Sequence, residues 1–521
     1  MLNGEAFRGT SAGVLVFTST NAWKSTLMPG TPDASSSMAE TIATDPIAAS
    51  RKQAGRTLLL CLGLFVLAFS WRGVHLTSLG FLHIDEVRFS LPTAQDLAAG
   101  HPLFFIRGTN YGAPIHEAVA ALLFRYFGEN PVTLRLPVVL FSSLAVVAGF
   151  LALRRIARES IALGLALLLA CPASAVTRYG VGAHPVYAFF TLLILLLQIG
   201  AWNVDQRRSA KAWIAWALLA GFSLYVLKLA AIPIAICLFW LGLRSPAFRS
   251  WRREIVRDEQ LRRAWWRIGI LCSVAIVLGA PVLYRALTRR ATYVPRTYEF
   301  GLIGAAGLLL SIAFVFLLWE GRLRWRNLWP VGAVTLAIAL FTVPPAIHFQ
   351  RVEAPRLAAA GIPQWPEKQY SFKHAHEWPF QIRLVLDRVL PAIVLGRSNL
   401  LEGEPPKTVP YTWKAAFSVM LLGFLSLGAM AGLRHAGAVR LFYSRPFVLI
   451  APPLLIAVIM FPSWTLHSDT CFRYAVPFMT GVWLLIWRCA EPLIGNRPRV
   501  LVCLLVFYIA YCGFDCWKNL S

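Results

Sequence analysis

Charged side chains are scarce in this chain. Only 14% of its 521 residues are Asp, Glu, Lys or Arg, whereas 57% are hydrophobic. This composition excludes an ordinary soluble protein. A bilayer core of roughly 30 Å requires about 20 apolar residues per helix. Segments of this kind predict about thirteen transmembrane helices, near residues 58–80, 131–153, 160–176, 183–202, 211–226, 229–243, 267–287, 300–319, 328–348, 413–433, 446–464, 472–488 and 499–517.

Acidic residues are scarcer still, 25 against 50 basic ones, which leaves a net charge of +25. Such a charge could indicate nucleic-acid binding, but its distribution argues against that function. The basic residues cluster in every second short gap between the predicted helices: Arg51, Lys52, Arg56; Arg154, Arg155, Arg158; Arg207, Arg208, Lys211; Arg244 to Arg267; Arg322, Arg324, Arg326; Arg434, Arg440, Arg445; and Arg488, Arg497, Arg499. Short basic loops stay in the cytoplasm. We therefore expect a multi-pass protein of the plasma or inner membrane, with its N-terminus inside and residues 81–130 and 349–412 outside.

An apolar run is missing near the N-terminus, so no cleavable signal peptide is evident. Residues 1–50 are rich in Ser, Thr, Ala, Gly and Pro, and we predict a disordered cytoplasmic segment. Met38 is an alternative start that would open a short cytoplasmic tail. The predicted organisation continues with a transmembrane region over 51–348, an outer loop over 349–412 and C-terminal helices over 413–521.

Cysteine is also infrequent, with nine residues. Most lie in apolar runs, where a thiol behaves as a small hydrophobic group. Cys471, Cys512 and Cys516 fall near the expected outer face, where a disulfide could form, although spacing alone does not show one.

An acidic pair, Asp85-Glu86, follows the first long apolar segment. It begins a first outer loop, residues 81–130, that contains no convincing span and is broken by Gly100, Gly108 and Gly112. Its segments have the spacing of short amphipathic helices, which lie in the membrane interface. We expect a platform at the outer membrane surface with the acidic pair at its start. Asp85 as a simple helix N-cap is the alternative.

The order of these features resembles a known family, the lipid-dependent glycosyltransferases with the GT-C fold. Within that family, the chain resembles the protein O-mannosyltransferases and aminoarabinose transferases of glycosyltransferase family 39 and its relatives. The resemblance covers residues 58–245, and beyond them only an Arg-Tyr motif. The matching residues are Asp85-Glu86, Tyr111-Gly112-Ala113-Pro114, Phe127-Gly128, Arg135-Leu136-Pro137, Gly221-Phe222 with Lys228, and Arg473-Tyr474 with Pro477.

The resemblance implies an all-α, polytopic transmembrane bundle of the GT-C type. It also implies transfer of a hexose or pentose, with inversion, from a polyprenyl-phosphate donor to a protein, glycan or lipid acceptor on the extracytoplasmic side. A positioned carboxylate takes the proton of the acceptor hydroxyl, and fixed positive charge stabilises the leaving phosphate. Adjacent residues of a helix do not share a face, so we expect Asp85 to be the base and Glu86 to support it.

Other candidate residues follow from position and chemistry. Members of the family often carry an acid where this chain has His184-Pro185. A histidine there could donate a hydrogen bond to the phosphate, or it could indicate a changed acceptor or lost activity. We expect the donor phosphate to contact Lys228, Arg473, Arg178 and His184. We expect the acceptor to contact Tyr111, His116, Tyr474 and His467.

Each of these residues also has a simpler interpretation. Arg473 could be an interfacial arginine that extends towards the headgroups, and Lys228, Arg178 and His184 could be ordinary loop residues. No cofactor is predicted with certainty. His374-Ala375-His376-Glu377 is a weak divalent-metal candidate, because it lacks a second ligand group at a known spacing.

Two other functions remain open. A transporter or lipid flippase would place ionisable residues near the middle of the membrane, whereas the apolar runs here are nearly free of charge. An inactive membrane protein that has kept the GT-C-like fold is the second alternative, and His184 is its best support.

Overall fold

In the computed structural model, every secondary-structure element among the described residues is a helix. These residues are 46–79, 85–109, 112–184, 186–245, 325–362, 444–460, 476–494 and 498–520. The chain divides into two compact units, Met1–Arg56 and Thr57–Ser521. Most of the predicted disordered segment and the predicted spans 267–287, 300–319 and 413–433 lie outside the described residues.

The described α-helices are numbered here in chain order, and short π or 3₁₀ turns connect several of them. They are α1 (Pro46–Gly73), a π turn (Glu86–Ser90), α2 (Leu91–Ala98), α3 (Ile115–Phe127), α4 (Pro131–Leu153), α5 (Glu159–Ala170), α6 (Ser174–Val181), α7 (Tyr187–Arg207), α8 (Ala210–Val226), a 3₁₀ turn (Lys228–Ala230), α9 (Ala231–Arg244), α10 (Trp325–His348), a π turn (Phe349–Glu353), α11 (Ala354–Ala359), α12 (Phe447–Met460), a 3₁₀ turn (Val476–Phe478), α13 (Met479–Ile494) and α14 (Pro498–Leu520).

Four described helical stretches are long and apolar enough to cross a membrane: Gln53–Gly73, Pro131–Leu153, Tyr187–Arg207 and Gly332–Ala359. The bent pair α5 and α6 makes a fifth if it is counted as one span. The protein is therefore a polytopic integral membrane protein, but the predicted number of about thirteen spans is not confirmed in the described part. Shorter apolar helices, such as Ala210–Val226 and Ala231–Arg244, fall at further predicted spans.

Small residues allow the helices to approach closely. A Cβ atom on Gly221 of α8 would lie 2.5 Å from the carbonyl oxygen of Ala337 in α10, so only glycine fits there. A Cβ atom on Gly481 of α13 would likewise overlap the carbonyl oxygen of Leu449 in α12. Backbones that approach this closely maximise van der Waals packing, which is the main attraction between helices in lipid.

The span predicted over 160–176 is broken, with α5 and α6 meeting at 73°. Arg72 donates from Nη1 to the carbonyl oxygen of Ala170 at 3.0 Å and from Nη2 to that of Leu169 at 3.0 Å, which caps the end of α5. Asp515 accepts from the amide of Ser174 at 2.8 Å, which caps the start of α6. Such a break is tolerated because neighbouring side chains satisfy the freed backbone groups. Cys512 and Cys516 of α14 are free thiols, and Cys471 lies outside the described residues.

The described residues of the predicted first outer loop form short helices separated by glycine turns. Gly100, Gly108 and Gly112 have φ angles of 85°, 77° and 81°, which glycine adopts without steric cost. Phe105 of this loop packs against Phe349 and Leu357, which follow α10. The helical path of α10 thus continues through Ala359, into the segment where the sequence predicts the long outer loop.

Candidate functional site

Asp85 stands beside His184 at one end of the helical bundle. The Asp85 Oδ2 atom lies 3.7 Å from His184 Nδ1, and the two side chains are 15% and 4% exposed. Asp85 precedes the Glu86–Ser90 π turn, whereas His184 lies in the loop between α6 and α7 (residues 182–186, the α6–α7 loop). The His184 ring stacks on Tyr179, with ring centroids 4.6 Å apart. A carboxylate that solvent can reach is thus held next to an imidazole.

Glu86 has partners different from those of Asp85 and is fully buried. It accepts two parallel hydrogen bonds from Arg135 of α4, Nε to Oε1 and Nη2 to Oε2, both 2.9 Å long. Glu86 Oε1 also accepts from the amide of Ala183 at 2.7 Å, and Arg135 Nη1 donates to the carbonyl oxygen of Leu76 at 3.1 Å. Bidentate, charge-assisted pairs of this kind are strong and geometrically specific. The pair therefore fixes the α6–α7 loop against the start of α4.

A second buried group holds the same loop from the side of α3. Ser90 Oγ lies 2.7 Å from the carbonyl oxygen of Ala183 and 2.9 Å from Oε1 of Glu117. Burial raises the pKa of the Glu117 carboxyl to about 7, an effect that hydrogen bonds from its own backbone and from Ser90 only partly offset. Hydrogen bonds thus hold Ala183 at both ends, with Glu86 at its amide and Ser90 at its carbonyl group.

The α6–α7 loop ends in an unusual backbone conformation. Val186, the residue before α7, has a φ angle of 63°, in the left-handed region. A β-branched residue there is a genuine outlier, and such conformations cost about 1–3 kcal/mol and persist only where the surroundings over-determine them. The contacts at Ala183 and His184 provide these surroundings.

A cavity of about 60 Å³ lies next to this loop. Its lining includes Arg72, Ser142, Tyr179, Gly180 and Tyr187, with apolar side chains of α4, α7 and α13. Tyr179 contributes to this lining and also stacks on His184. The aromatic ring therefore connects the cavity to the Asp85–His184 pair.

Of the remaining residues that were predicted to contact the donor or the acceptor, some lie in the described helices and turns and others lie outside the described residues. His116 is buried on α3, where its Nε2 accepts from the Phe189 amide at 3.0 Å, and burial lowers its pKa to about 3. Arg178 lies in the last turn of α6, and Lys228 opens the 3₁₀ turn before α9. Their roles stay predictions. Four predicted contacts lie outside the described residues, namely Tyr111, His467, Arg473 and Tyr474, as does the metal candidate at His374, His376 and Glu377.

Three residues of the site did not emerge as functional candidates from the sequence. Arg135 belongs to the Arg-Leu-Pro motif, and a charge at the start of an apolar helix was the signal that could have revealed it. Ser90 and Glu117 carry no comparable signal, because their partners lie far away in the chain. Within the described residues, no group of three or more His, Cys, Asp or Glu side chains could hold a metal ion.

These features define a helical integral membrane protein with a buried ion-pair and hydrogen-bond network at one end of its bundle. No family model and no curated protein matches the sequence. The chain is similar to solved structures of the oligosaccharyltransferase of the archaeon Archaeoglobus fulgidus. Its complex with Zn and sulfate has 12% identity and a TM-score of 0.44, covering 89% of this chain and 53% of that one.

A second structure of that enzyme, AglB in complex with an inhibitory peptide and a dolichol-phosphate, has 12% identity and a TM-score of 0.39. The alignment covers 90% of this chain and 56% of the archaeal one. The apo form has 10% identity and a TM-score of 0.38, with 89% and 55% covered. The chain spans about half the length of the archaeal proteins to which it is similar.

Proposed function

We propose that this protein is a membrane glycosyltransferase of the GT-C type, which moves a sugar from a polyprenyl-phosphate donor to an acceptor on the extracytoplasmic side. The motif order from Asp85-Glu86 to Arg135-Leu136-Pro137 supports the proposal. The observation that carries it is the division of labour in the acidic pair: Asp85 is partly exposed beside His184, while Glu86 is buried against Arg135.

The proposed reaction is a single inverting displacement. The acceptor hydroxyl oxygen attacks the anomeric carbon and forms the new C–O bond, while the bond from that carbon to the phosphate oxygen breaks. Asp85 takes the hydroxyl proton, and the lipid phosphate leaves with the bonding electrons. A positioned general base contributes typically about 10²–10⁴-fold. Cations at Lys228, Arg178 and Arg473 are proposed to stabilise the leaving phosphate, as preorganised charges do in other transferases.

His184 lies where members of the GT-C family that the chain resembles often carry an acidic residue. We propose that it orients Asp85, since its Nδ1 lies 3.7 Å from Oδ2 of that carboxylate. The competing candidate is an inactive GT-C-like protein. The presence of histidine instead of an acid at position 184 favours this candidate.

The test is transfer of labelled sugar from a defined polyprenyl-phosphate donor by the purified protein. Asp85→Asn keeps the side-chain volume but removes the proton acceptor, so we expect transfer to fall by about 10²-fold or more in a folded protein. Glu129→Gln is a matched control, because Glu129 is an exposed acid of the same loop whose partner is Gln95. Full activity in Asp85→Asn would assign the base to another residue, and no transfer with any donor would favour the inactive candidate.

A further inference from the structure

The hydrogen bonds at Ser90 require one more hydrogen than its hydroxyl group supplies. Two oxygens lie within hydrogen-bond distance of Ser90 Oγ, the Ala183 carbonyl at 2.7 Å and Glu117 Oε1 at 2.9 Å. A serine hydroxyl has one hydrogen to donate, a carbonyl can only accept, and an ionised carboxylate can only accept. If Ser90 donates to the nearer oxygen, the second bond forms only when Glu117 supplies the hydrogen.

The surroundings of Glu117 also disfavour a charge. Its side chain is 1% exposed, and its Oε2 atom is buried with no hydrogen-bond partner among the residues that the structure describes. Ionisation would therefore leave a buried charge that its own backbone amide and Ser90 stabilise only in part, which is expensive. The N-terminus of α3 favours a carboxylate, but this effect is small compared with full burial.

The charged groups of the neighbouring elements are engaged elsewhere. Glu86 of the π turn pairs with Arg135 of α4, and Asp96 of α2 pairs with Arg107 and Arg356. On α3 itself, His116 accepts from a backbone amide, and the exposed Arg125 donates to the carbonyl oxygen of Ala98. Arg88 of the π turn is exposed to solvent, and Asp85 lies beside His184.

We infer that Glu117 is a protonated positioning residue, which donates to Ser90 so that Ser90 can donate to Ala183 and hold the α6–α7 loop in place. Its proton is not transferred in the reaction. The chain of two hydrogen bonds fixes the residue that precedes His184. The inference rests on the proposed function only in its consequence for catalysis, and the hydrogen-bonding pattern itself is independent of any substrate.

The hydrogen-bond chain should depend on pH. Burial raises the pKa of Glu117 from 4.5 to about 7, so the folded protein binds this proton more tightly than the unfolded chain does. The stabilisation is complete below the unfolded value and is lost as the pH rises through the folded value. With a pKa of about 7, the protonated fraction falls about tenfold between pH 6 and pH 8.

Infrared spectroscopy of the purified protein tests the inference directly. At pH 6 we expect the carbonyl stretch of a protonated carboxylic acid, lost in Glu117→Gln and shifted when glutamate is labelled with ¹³C. Glu353→Gln is the matched control: Glu353 is also buried, but it accepts from the Phe104 amide and faces His348. Its variant should keep the Glu117 signal. Absence of the signal from the wild-type protein, or its full survival in Glu117→Gln, would overturn the inference.

The pH profile of sugar transfer provides the second readout. Wild-type activity should decline above about pH 7 as Glu117 loses its proton, whereas Glu117→Gln should not show this decline, because its amide donates at every pH. Parallel profiles would overturn the positioning role. If the wild-type protein transfers no sugar, the proposed function fails, while the infrared measurement still decides the protonation of Glu117.

Discussion

Neighbouring acids in this chain take on different tasks because a helical backbone turns them in different directions. Asp85 reaches His184, whereas Glu86 is directed to Arg135 and to the amide of Ala183. The adjacency of the two residues predicts this divergence. The identity of the partner does not follow from adjacency, since Glu86 and Arg135 are 49 residues apart.

The Glu86–Arg135 pair allows a stability prediction. Arg135→Met leaves the Glu86 carboxylate buried without its cation, and breaking such a pair costs about 3–5 kcal/mol. The double variant Glu86→Gln with Arg135→Met buries no charge, and the glutamine oxygen can still accept from Ala183. We therefore expect the double variant to be more stable than Arg135→Met alone, as measured by chemical denaturation in mild detergent. A double variant less stable than the single one would contradict this explanation.

At the scale of secondary structure, the bend between α5 and α6 brings together two helix ends of opposite partial charge. The end of α5 exposes carbonyl groups and the start of α6 exposes amide groups. The positive charge of Arg72 stabilises the carbonyl end of α5, and the negative charge of Asp515 stabilises the amide end of α6. Thr177 Oγ1 completes the bend by donating to the carbonyl oxygen of Pro172 at 2.9 Å. The break is thus a built feature, and it directs α6 towards His184.

Substitutions at the bend should separate these contributions. Arg72→Met removes hydrogen bonds to the carbonyl groups of Ala68, Leu169 and Ala170. Because bonds to charged groups contribute about 1.5–3 kcal/mol each, we expect a loss of about 3 kcal/mol or more. Asp515→Ala should cost about 1 kcal/mol as a lost cap, and Asp515→Asn should cost less because its amide oxygen still accepts from Ser174. Thermal unfolding of the three variants measures the order, and equal losses in the two Asp515 variants would exclude a capping role.

Helices with a long apolar run could be predicted closely from the sequence. The segments predicted at 131–153 and 211–226 correspond to Pro131–Leu153 and Ala210–Val226. The bend inside 160–176 could not be predicted, because hydropathy is local and the residues that stabilise the bend lie on α1 and α14. The role of Ser90 could not be predicted for the same reason, because its partner Ala183 is 93 residues away.

At the scale of the whole molecule, the described contacts bring many basic residues to one end of the bundle. Arg155 donates to Asn203 at 2.8 Å, Arg244 pairs with Asp205 at 2.8 Å, and Arg488 donates to the carbonyl oxygen of Ile156 at 3.2 Å. Arg155 follows α4, Arg244 is the last residue of α9 and Arg488 lies within α13, whereas Asp85 and the α6–α7 loop lie near the opposite ends of α4 and α7. Loops that are distant in sequence thus share a face, as the alternating charge pattern requires.

This division of charge predicts the orientation in the membrane, since short loops rich in Lys and Arg remain in the cytoplasm. In a protein whose Cys471, near the predicted outer face, and exposed Cys503 are both replaced by serine, His101→Cys should react with a membrane-impermeant thiol reagent added to intact cells. A cysteine placed within residues 250–260, in the most basic predicted loop, should react only after permeabilisation. The buried Cys171, Cys512 and Cys516 provide an internal background in both variants. The reverse pattern of labelling would place Asp85 in the cytoplasm and remove the proposed reaction from the extracytoplasmic side.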